Sequence, residues 1–436
     1  MSSTTVKKDL QIEIIESFQE ANFGVAKELR VKAIANLERL GMPTGKQEEY
    51  RFTPIAKNLE KHFNWENSIA PSSITSIDEF LIPDLDANVL VFINGSFSKS
   101  HSKIVSPESQ VKIKTLWDAF QSDKEIISAY FDKLVNSARD PFAAMNSIFW
   151  REGLFIHVPE NTNVEKPILI LHVNDARTSQ VIAHTRLLVV VENNSAISIV
   201  EKFDSTGSQP VFHTYSEEFA IKENAQLAYY KIQNDQGSSY QVANTLIHQA
   251  NRSVVNTFTL IFSGQLVRNN FGITIDGENC ASHFYGLYAL KGNTFADNHT
   301  VVDHKKPNSF SNELYKGIVD DNSKCVFNGK IFVRPYAQKT NAFQSNRNIL
   351  ISDAATVNTK PQLEIWADDV KCSHGCTTGQ LDEEAVFYLQ SRGISRTTAK
   401  AMLLYAFAAE VLEPIQNEKL RVYFDQLISE RLHKDF

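Results

Sequence analysis

Between residues 8 and 40 the apolar positions Ile12, Ile15 and Phe18, then Ala26, Leu29, Ala33 and Leu37, recur at helical spacing. Gly24 separates two expected helices, and Gly41-Met-Pro43 stops the second. A polar segment studded with aromatics comes next, Pro43-Thr-Gly-Lys-Gln-Glu-Glu-Tyr-Arg-Phe-Thr-Pro54. A short strand is predicted over 89–93, ending in the turn pair Asn94-Gly95. The spacing of Trp117, Phe120, Ile127, Tyr130, Phe131 and Leu134 predicts a helix over 117–135. Residues 1–148 therefore read as a mostly helical domain.

The pattern changes over 149–378, where short runs of Val, Ile, Phe, Tyr and Thr alternate with Asn, Asp and Gly clusters. One phrase recurs: an aliphatic residue, acidic or asparagine residues, a small residue, then apolar again. It appears as Val191-Glu-Asn-Asn-Ser-Ala-Ile197, Ile221-Lys-Glu-Asn-Ala-Gln-Leu227 and Ile275-Asp-Gly-Glu-Asn-Cys-Ala281. It returns as Val319-Asp-Asp-Asn-Ser-Lys-Cys325 and Ile351-Ser-Asp-Ala-Ala-Thr-Val357. The intervals are uneven, roughly 30 to 55 residues, and match a stacked array only loosely. A parallel β-helix fits, since each coil can bury its apolar face only on its neighbours. A β-sandwich carries similar local signals.

Residues 379–436 return to helix. A short helix over 381–390 is broken by Ser391-Arg-Gly-Ile394. Ser395 or Thr397 caps the next, which runs to about Leu412, before Pro414. A last helix over 417–433 places Leu420, Phe424, Leu427, Ile428 and Leu432 on one face. From Lys400 to Leu412 only Lys400 and Glu410 are charged. That helix needs covering on both sides, by its own neighbours or by a partner protein. Helices at both ends of a strand-rich middle suggest helical domains appended to a β core.

The formal charge of -7, spread along the chain, argues against a nucleic-acid partner. No apolar run approaches the length of a bilayer span, and the first ten residues lack the apolar core of a signal peptide. Cys280, Cys325, Cys372 and Cys376 are too sparse for a disulfide framework. A reducing cytoplasm is the expected location.

Several groups of residues are candidates for chemistry. In Cys372-Ser-His374-Gly-Cys376 an extended backbone would project two thiols and an imidazole from one face. That set suits zinc, copper(I) or an iron–sulfur centre, with a fourth ligand from elsewhere; a turn with a buried thiol and a bonded histidine is the alternative. Gly41-Met-Pro-Thr-Gly45-Lys46 only echoes a phosphate loop: it is one residue short, Gln47 replaces Ser or Thr, and a helix precedes it. The chain is not expected to be an ATPase. Alternation puts His299 and Asp303 on one face and His304 on the other, with His283 upstream; these read as polar groups serving the backbone at turns. Glu201, Asp204, Glu217 and Glu218 are scattered acids, and no nucleophile motif is present. A β-helix enzyme acting on carbohydrate would need such acids clustered along an exposed groove.

Longer strings carry more specific information. Asn358-Thr-Lys-Pro-Gln-Leu-Glu-Ile-Trp-Ala-Asp-Asp-Val-Lys-Cys-Ser-His-Gly375 and Leu381-Asp-Glu-Glu-Ala-Val-Phe-Tyr-Leu-Gln-Ser-Arg-Gly-Ile394 resemble the signature of the SufB/SufD family. Asn312-Glu-Leu-Tyr-Lys-Gly317, Phe327-Asn-Gly-Lys330 and Gln344-Ser-Asn-Arg-Asn348 resemble its β-core phrases. The segment from Pro43 to Thr53 is similar to the SufD branch of that family. The resemblance implies a mainly β protein: a right-handed parallel β-helix flanked by amino- and carboxy-terminal helical domains. It implies a non-catalytic scaffold subunit of an iron–sulfur cluster assembly complex. The subunit would pair with a SufB-like paralogue through the β-helices and bind a SufC-like ABC ATPase through residues 379–436. Leu404 and Phe407 are the docking candidates there. A transient iron–sulfur cluster would sit at the paralogue junction, held in part by His374 with Cys372 beside it. Cys376 departs from the family, which has a small non-ligating residue there. Self-association of the isolated chain stays open.

Overall fold

The computed structural model describes residues 9–18, 26–65, 70–235 and 237–432. Among these, the strands build two facing sheets. One runs in the order β19 (Lys371–Gly379), β17 (Asn341–Leu350), β15 (Phe310–Val319), β13 (Ala281–Leu290) and β11 (Val254–Ser263). It continues through β9 (Gln226–Asn234), β7 (Ala196–Gly207), β5 (Ile168–Ala176), β1 (Asn88–Ile93) and β2 (Ser96–Phe97). The other runs β18 (Thr356–Ile365), β16 (Lys324–Val333), β14 (Phe295–His304), β12 (Leu266–Ile275) and β10 (Ser239–Gln249). It ends with β8 (Val211–Ile221), β6 (Val181–Val191), β4 (Glu152–Val158) and β3 (Lys112–Thr115). From β4 onward successive strands alternate between the sheets and pair in parallel, so the core is a β-helix and not a sandwich.

The five recurring phrases are corners where the chain leaves one sheet for the other. Asn194, Asn224, Asn279 and Asp321 take the left-handed conformation there, with φ of 57°, 57°, 57° and 53°. Asparagine and aspartate tolerate that region best among non-glycine residues. Successive corners also bond to one another, Asn224 Nδ2 to Asn194 Oδ1 and Asn194 Nδ2 to Asn161 Oδ1, each at 2.9 Å. The uneven intervals now have a cause. Corners after Val191, Ile221 and Ile275 lie on one edge, and those after Val319 and Ile351 on the other. The skipped coil between 221 and 275 turns on Arg252 (φ 57°) instead. In-register partners such as Val211 and Ser239, or Leu266 and Phe295, give a true repeat of about 30 residues.

Alternate side chains of every strand enter the lumen, where Ile156, Ile199, Phe219, Leu227, Ile273, Phe284 and Phe327 are fully buried. Each such side chain contributes roughly 1.5–3 kcal/mol by leaving water. The outer faces are covered separately. On the nine-stranded sheet lie α1 (Leu10–Glu16), α2 (Lys27–Leu40), α3 (Ile55–His62) and α6 (Pro141–Phe149), with Phe142 and Ile148 packed among Phe212, Tyr240 and Leu266. On the ten-stranded sheet lie α8 (Arg396–Ala409) and α9 (Glu418–Leu432), and α7 (Glu383–Ser391) packs against α8. Phe424 of α9 packs 5.9 Å from the Tyr230 ring.

The amino-terminal region is less helical than its pattern predicts. β1, β2 and β3 join the sheets, and the turn after β1 uses Asn94 and Gly95 at φ 50° and 79°. The helix expected over 117–135 divides into α4 (Leu116–Ser122) and α5 (Lys124–Tyr130). Residues 132–135, just beyond α5, are captured by the buried Glu218 carboxylate. It accepts the N–H groups of Asp132, Lys133, Leu134 and Val135 at 2.7, 2.9, 2.8 and 3.2 Å. A carboxylate so placed competes with helical bonding for those donors. The predicted break at Gly24 lies outside the described residues. In the carboxy-terminal region Ser395 is the cap of α8, accepting from Thr398 N–H at 3.1 Å.

The two ends of the solenoid differ. β2 and β3 close the first with antiparallel pairing. At the other, β18 and β19 each pair on one side only, and β19 is exposed along most of its length.

Candidate functional site at the open end of the solenoid

In the last parallel ladder Cys372, His374 and Cys376 lie opposite Ala342, Gln344 and Asn346. Those three are buried in the lumen, and parallel neighbours in register point the same way. The two thiols and the imidazole therefore share the lumen-facing side of β19, as the alternation predicted. Cys372 packs against the core, while His374 and Cys376 are exposed because no further coil covers them. Burial pushes the Cys372 thiol above its ordinary pKa, which disfavours the thiolate that binds metal. Among the described residues no three His, Cys, Asp or Glu groups come together closely enough to hold a metal ion. The strand offers a row of soft and borderline donors, not a closed cage.

Behind the row the lumen is polar, which the sequence did not announce. Gln344 donates to Glu313 Oε2 at 2.5 Å, and burial pushes that carboxyl up to about 7. Asn346 donates to the Tyr288 hydroxyl at 2.8 Å. Further in, Asn269 links Gln233 and Asn298 at 2.8 and 3.2 Å, and Lys231 pairs with Glu217 at 2.7 Å. The phrases carrying Glu313 and Gln344 stood out in the sequence, but only the register shows that they line one column. Cys280, just before β13, and Cys325 on β16 are buried, and the Cys325 thiol is also pushed up by burial.

The other sequence candidates separate. His299 and Asp303 do share the outer face, and His304 bonds Ser311 Oγ inside the lumen at 2.9 Å. His299 serves no turn. It lies between Asp297 (2.9 Å) and Glu49 (3.0 Å), joining the amino-terminal segment to the solenoid. His283 lies tilted against the Phe310 ring, centroids 5.4 Å apart, and joins neither. Lys46 lines a cleft of about 640 Å³ under that segment, whose rim pairs Glu48 with Lys360 and Glu49 with Lys330. It precedes a single 3-10 turn, Glu48–Tyr50, and not a helix. Glu201, Glu217 and Glu218 are buried, bonded to Tyr229, Lys231 and Arg186, and Asp204 pairs with Lys202. They do not line an exposed groove. Leu404 is buried in the packing of α8 on the ten-stranded sheet, and Phe407 is partly buried beneath the Lys316 ammonium, 4.4 Å from its ring. Exposed apolar groups on the same helical unit are Phe387, Tyr388, Met402 and Val422. No described helix is long and apolar enough to cross a membrane.

Comparison with known proteins adds to this geometry. Residues 172–407 match the SUF system FeS cluster assembly SufBD core domain, and residues 2–170 match the SufBD protein N-terminal region. An iron–sulfur cluster assembly SufBD family protein of Synechocystis is 32% identical over 401 residues, covering 90% of this chain and 88% of its own. The iron–sulfur cluster assembly protein SufD of Escherichia coli is 30% identical over 406 residues, covering 92% and 91%. The protein of the same name in Bacillus subtilis is 24% identical, covering 97% of each chain.

Proposed function

We propose a role that starts from one premise: the chain belongs to the SufBD family of SUF-system iron–sulfur cluster assembly proteins. It is a non-catalytic scaffold subunit of a SufBCD-type complex in the cytoplasm, built of three working units, 1–148, 149–378 and 379–436. The β-helix pairs with a SufB-like paralogue, and the carboxy-terminal helices bind a SufC-like ABC ATPase. The cluster is cargo at the paralogue junction, held in part by His374 with Cys372 beside it.

The observation that supports this reading most is the open end of the solenoid. β18 and β19 present unpaired backbone edges, which a second chain can complete. The same edge carries the imidazole and thiol row, and its donors are too few to bind a cluster alone. Neutral imidazole is a competent iron ligand that lacks the negative charge of a thiolate, which suits a site that builds and then gives away its cargo.

Co-expression of the tagged chain with a SufB-like paralogue and a SufC-like ATPase tests the reading. Both partners should co-purify, and iron should accumulate in the complex. Purification of the chain without either partner would overturn it.

A further inference from the structure

The carboxy-terminal helices grip the solenoid at a specific place. Lys316 on β15 points outward, is buried, and donates from Nζ to the Phe407 carbonyl at 2.7 Å. That carbonyl belongs to the last turn of α8, where helical partners run out and a cation is favoured. The same ammonium bonds Glu410, the cap residue of α8. Arg347 on β17 reaches the same carboxylate at 3.4 Å. Lys316 and Arg347 are direct partners in the β15–β17 ladder, and Arg347 is in turn the partner of Thr377 on β19. Lys316, and then Arg347, hold the Glu410 carboxyl below its ordinary pKa, so it is charged at neutral pH. One carboxylate thus spans two adjacent strands from outside, next to the edge that carries His374.

A second attachment is covalent. β19 ends at Gly379 and α7 begins at Glu383. The helices are therefore tied to the terminal strands at both ends of the segment from α7 to α8. A shift of α8 along the sheet must move Glu410 relative to β15 and β17, or drag β19 through the short connection.

We propose that Glu410 is a positioning residue: held by Lys316 and Arg347, it lets the carboxy-terminal helices set the placement of β17 and β19. The link between that placement and cluster assembly rests on the function proposed above. The placement itself does not.

Hydrogen exchange on a millisecond-to-minute scale, read on the full chain without partners, tests the coupling. Glu410→Gln should speed exchange about tenfold or more in peptides covering 341–350 and 371–379, with β5 to β11 unchanged. Arg396→Gln, which removes an exposed ion pair with Glu383 in the same helical unit, should leave those peptides unchanged. Because Glu410 and Arg347 share one interaction, Glu410→Gln with Arg347→Gln should exchange no faster than Glu410→Gln alone. Unchanged rates in Glu410→Gln, equal acceleration in Arg396→Gln, or additive effects in the double variant would each overturn the proposal. Faster exchange with full iron loading of the assembled complex leaves the coupling standing and overturns the assembly role instead.

Discussion

His374 lies directly opposite Gln344 in the final parallel ladder, so the exposed imidazole continues a column of polar side chains that runs inside the solenoid. The residue at the rim is reachable, while its neighbours behind are fixed by packing and bonding. Replacing it should alter chemistry without disturbing the coil.

We expect His374→Ala to leave the complex assembled and to lower cluster formation in cells. Complementation of a strain lacking other assembly systems measures this. Cys376→Ser should have little effect and Cys372→Ser an intermediate one. Full complementation by His374→Ala alongside failure of Cys376→Ser would place the site on the other residue.

Leu404 and the exposed face of α7 should give different outcomes. Leu404→Asp buries an unpaired carboxylate at a cost of several kcal/mol and should reduce helical circular dichroism and lower the melting temperature. Phe387→Asp changes an exposed side chain and should leave the spectrum intact while weakening ATPase co-purification. Unaltered ATPase recovery with Phe387→Asp would remove α7 from the docking surface.

The contact between Glu49 and His299 should make the amino-terminal segment pH-sensitive. The hydrogen bond from His299, joined by Lys330, holds the Glu49 carboxyl down to about 2 against its burial. Burial opposes charge on His299, as does Arg268 at 3.2 Å, but Asp297 and Glu49 outweigh both and raise its pKa. A histidine raised on folding stabilises fully below its unfolded value of about 6.5 and loses that as pH rises through the folded value. A depressed carboxylate stabilises fully above about 4.3 and loses that as pH falls through about 2. The contact is therefore strongest between about pH 4.5 and 6.5. His299→Gln should lower the melting temperature most in that window, with the deficit shrinking toward about pH 9. A deficit independent of pH would contradict this.

Glu218 should be among the costliest single positions. Glu218→Gln puts amide hydrogens against backbone N–H groups and removes one of the two carboxylates paired with the buried Arg186, leaving Asp132. A loss of about 2–4 kcal/mol in denaturant unfolding is expected. A change below about 0.5 kcal/mol, the scale of ordinary surface substitutions, would show that the carboxylate does not organise residues 132–135.

The chain alone should neither hydrolyse ATP nor bind it tightly. Calorimetric titration with ATP and magnesium checks this, and a micromolar dissociation constant would restore a nucleotide role for Lys46.

Local rules read much of this molecule correctly. Asparagine at corners, period-two alternation on β19 and the Ser395 cap are all decided within a few residues of chain. The coil length was hidden because the corner phrase marks either edge and skips the coil that turns on Arg252. The expected helix stops short of 135 because Glu218, more than 80 residues away in sequence, takes the backbone donors of residues 132–135. The candidate site was legible as far as three donors on one face. That this face closes a polar lumen, and that Glu410 fastens the helices beside it, depends on register between distant strands.

Leaving one edge each of β18 and β19 open has a cost in the living cell. A sheet edge of this kind is a template for copies of itself, and Lys360, Pro361 and Lys371 only blunt it. If a paralogue covers this edge, as proposed, ribosomes that deliver the chain ahead of that companion leave an orphan open to end-to-end stacking or degradation. Balanced synthesis of the companion would then govern abundance as strongly as intrinsic folding stability does.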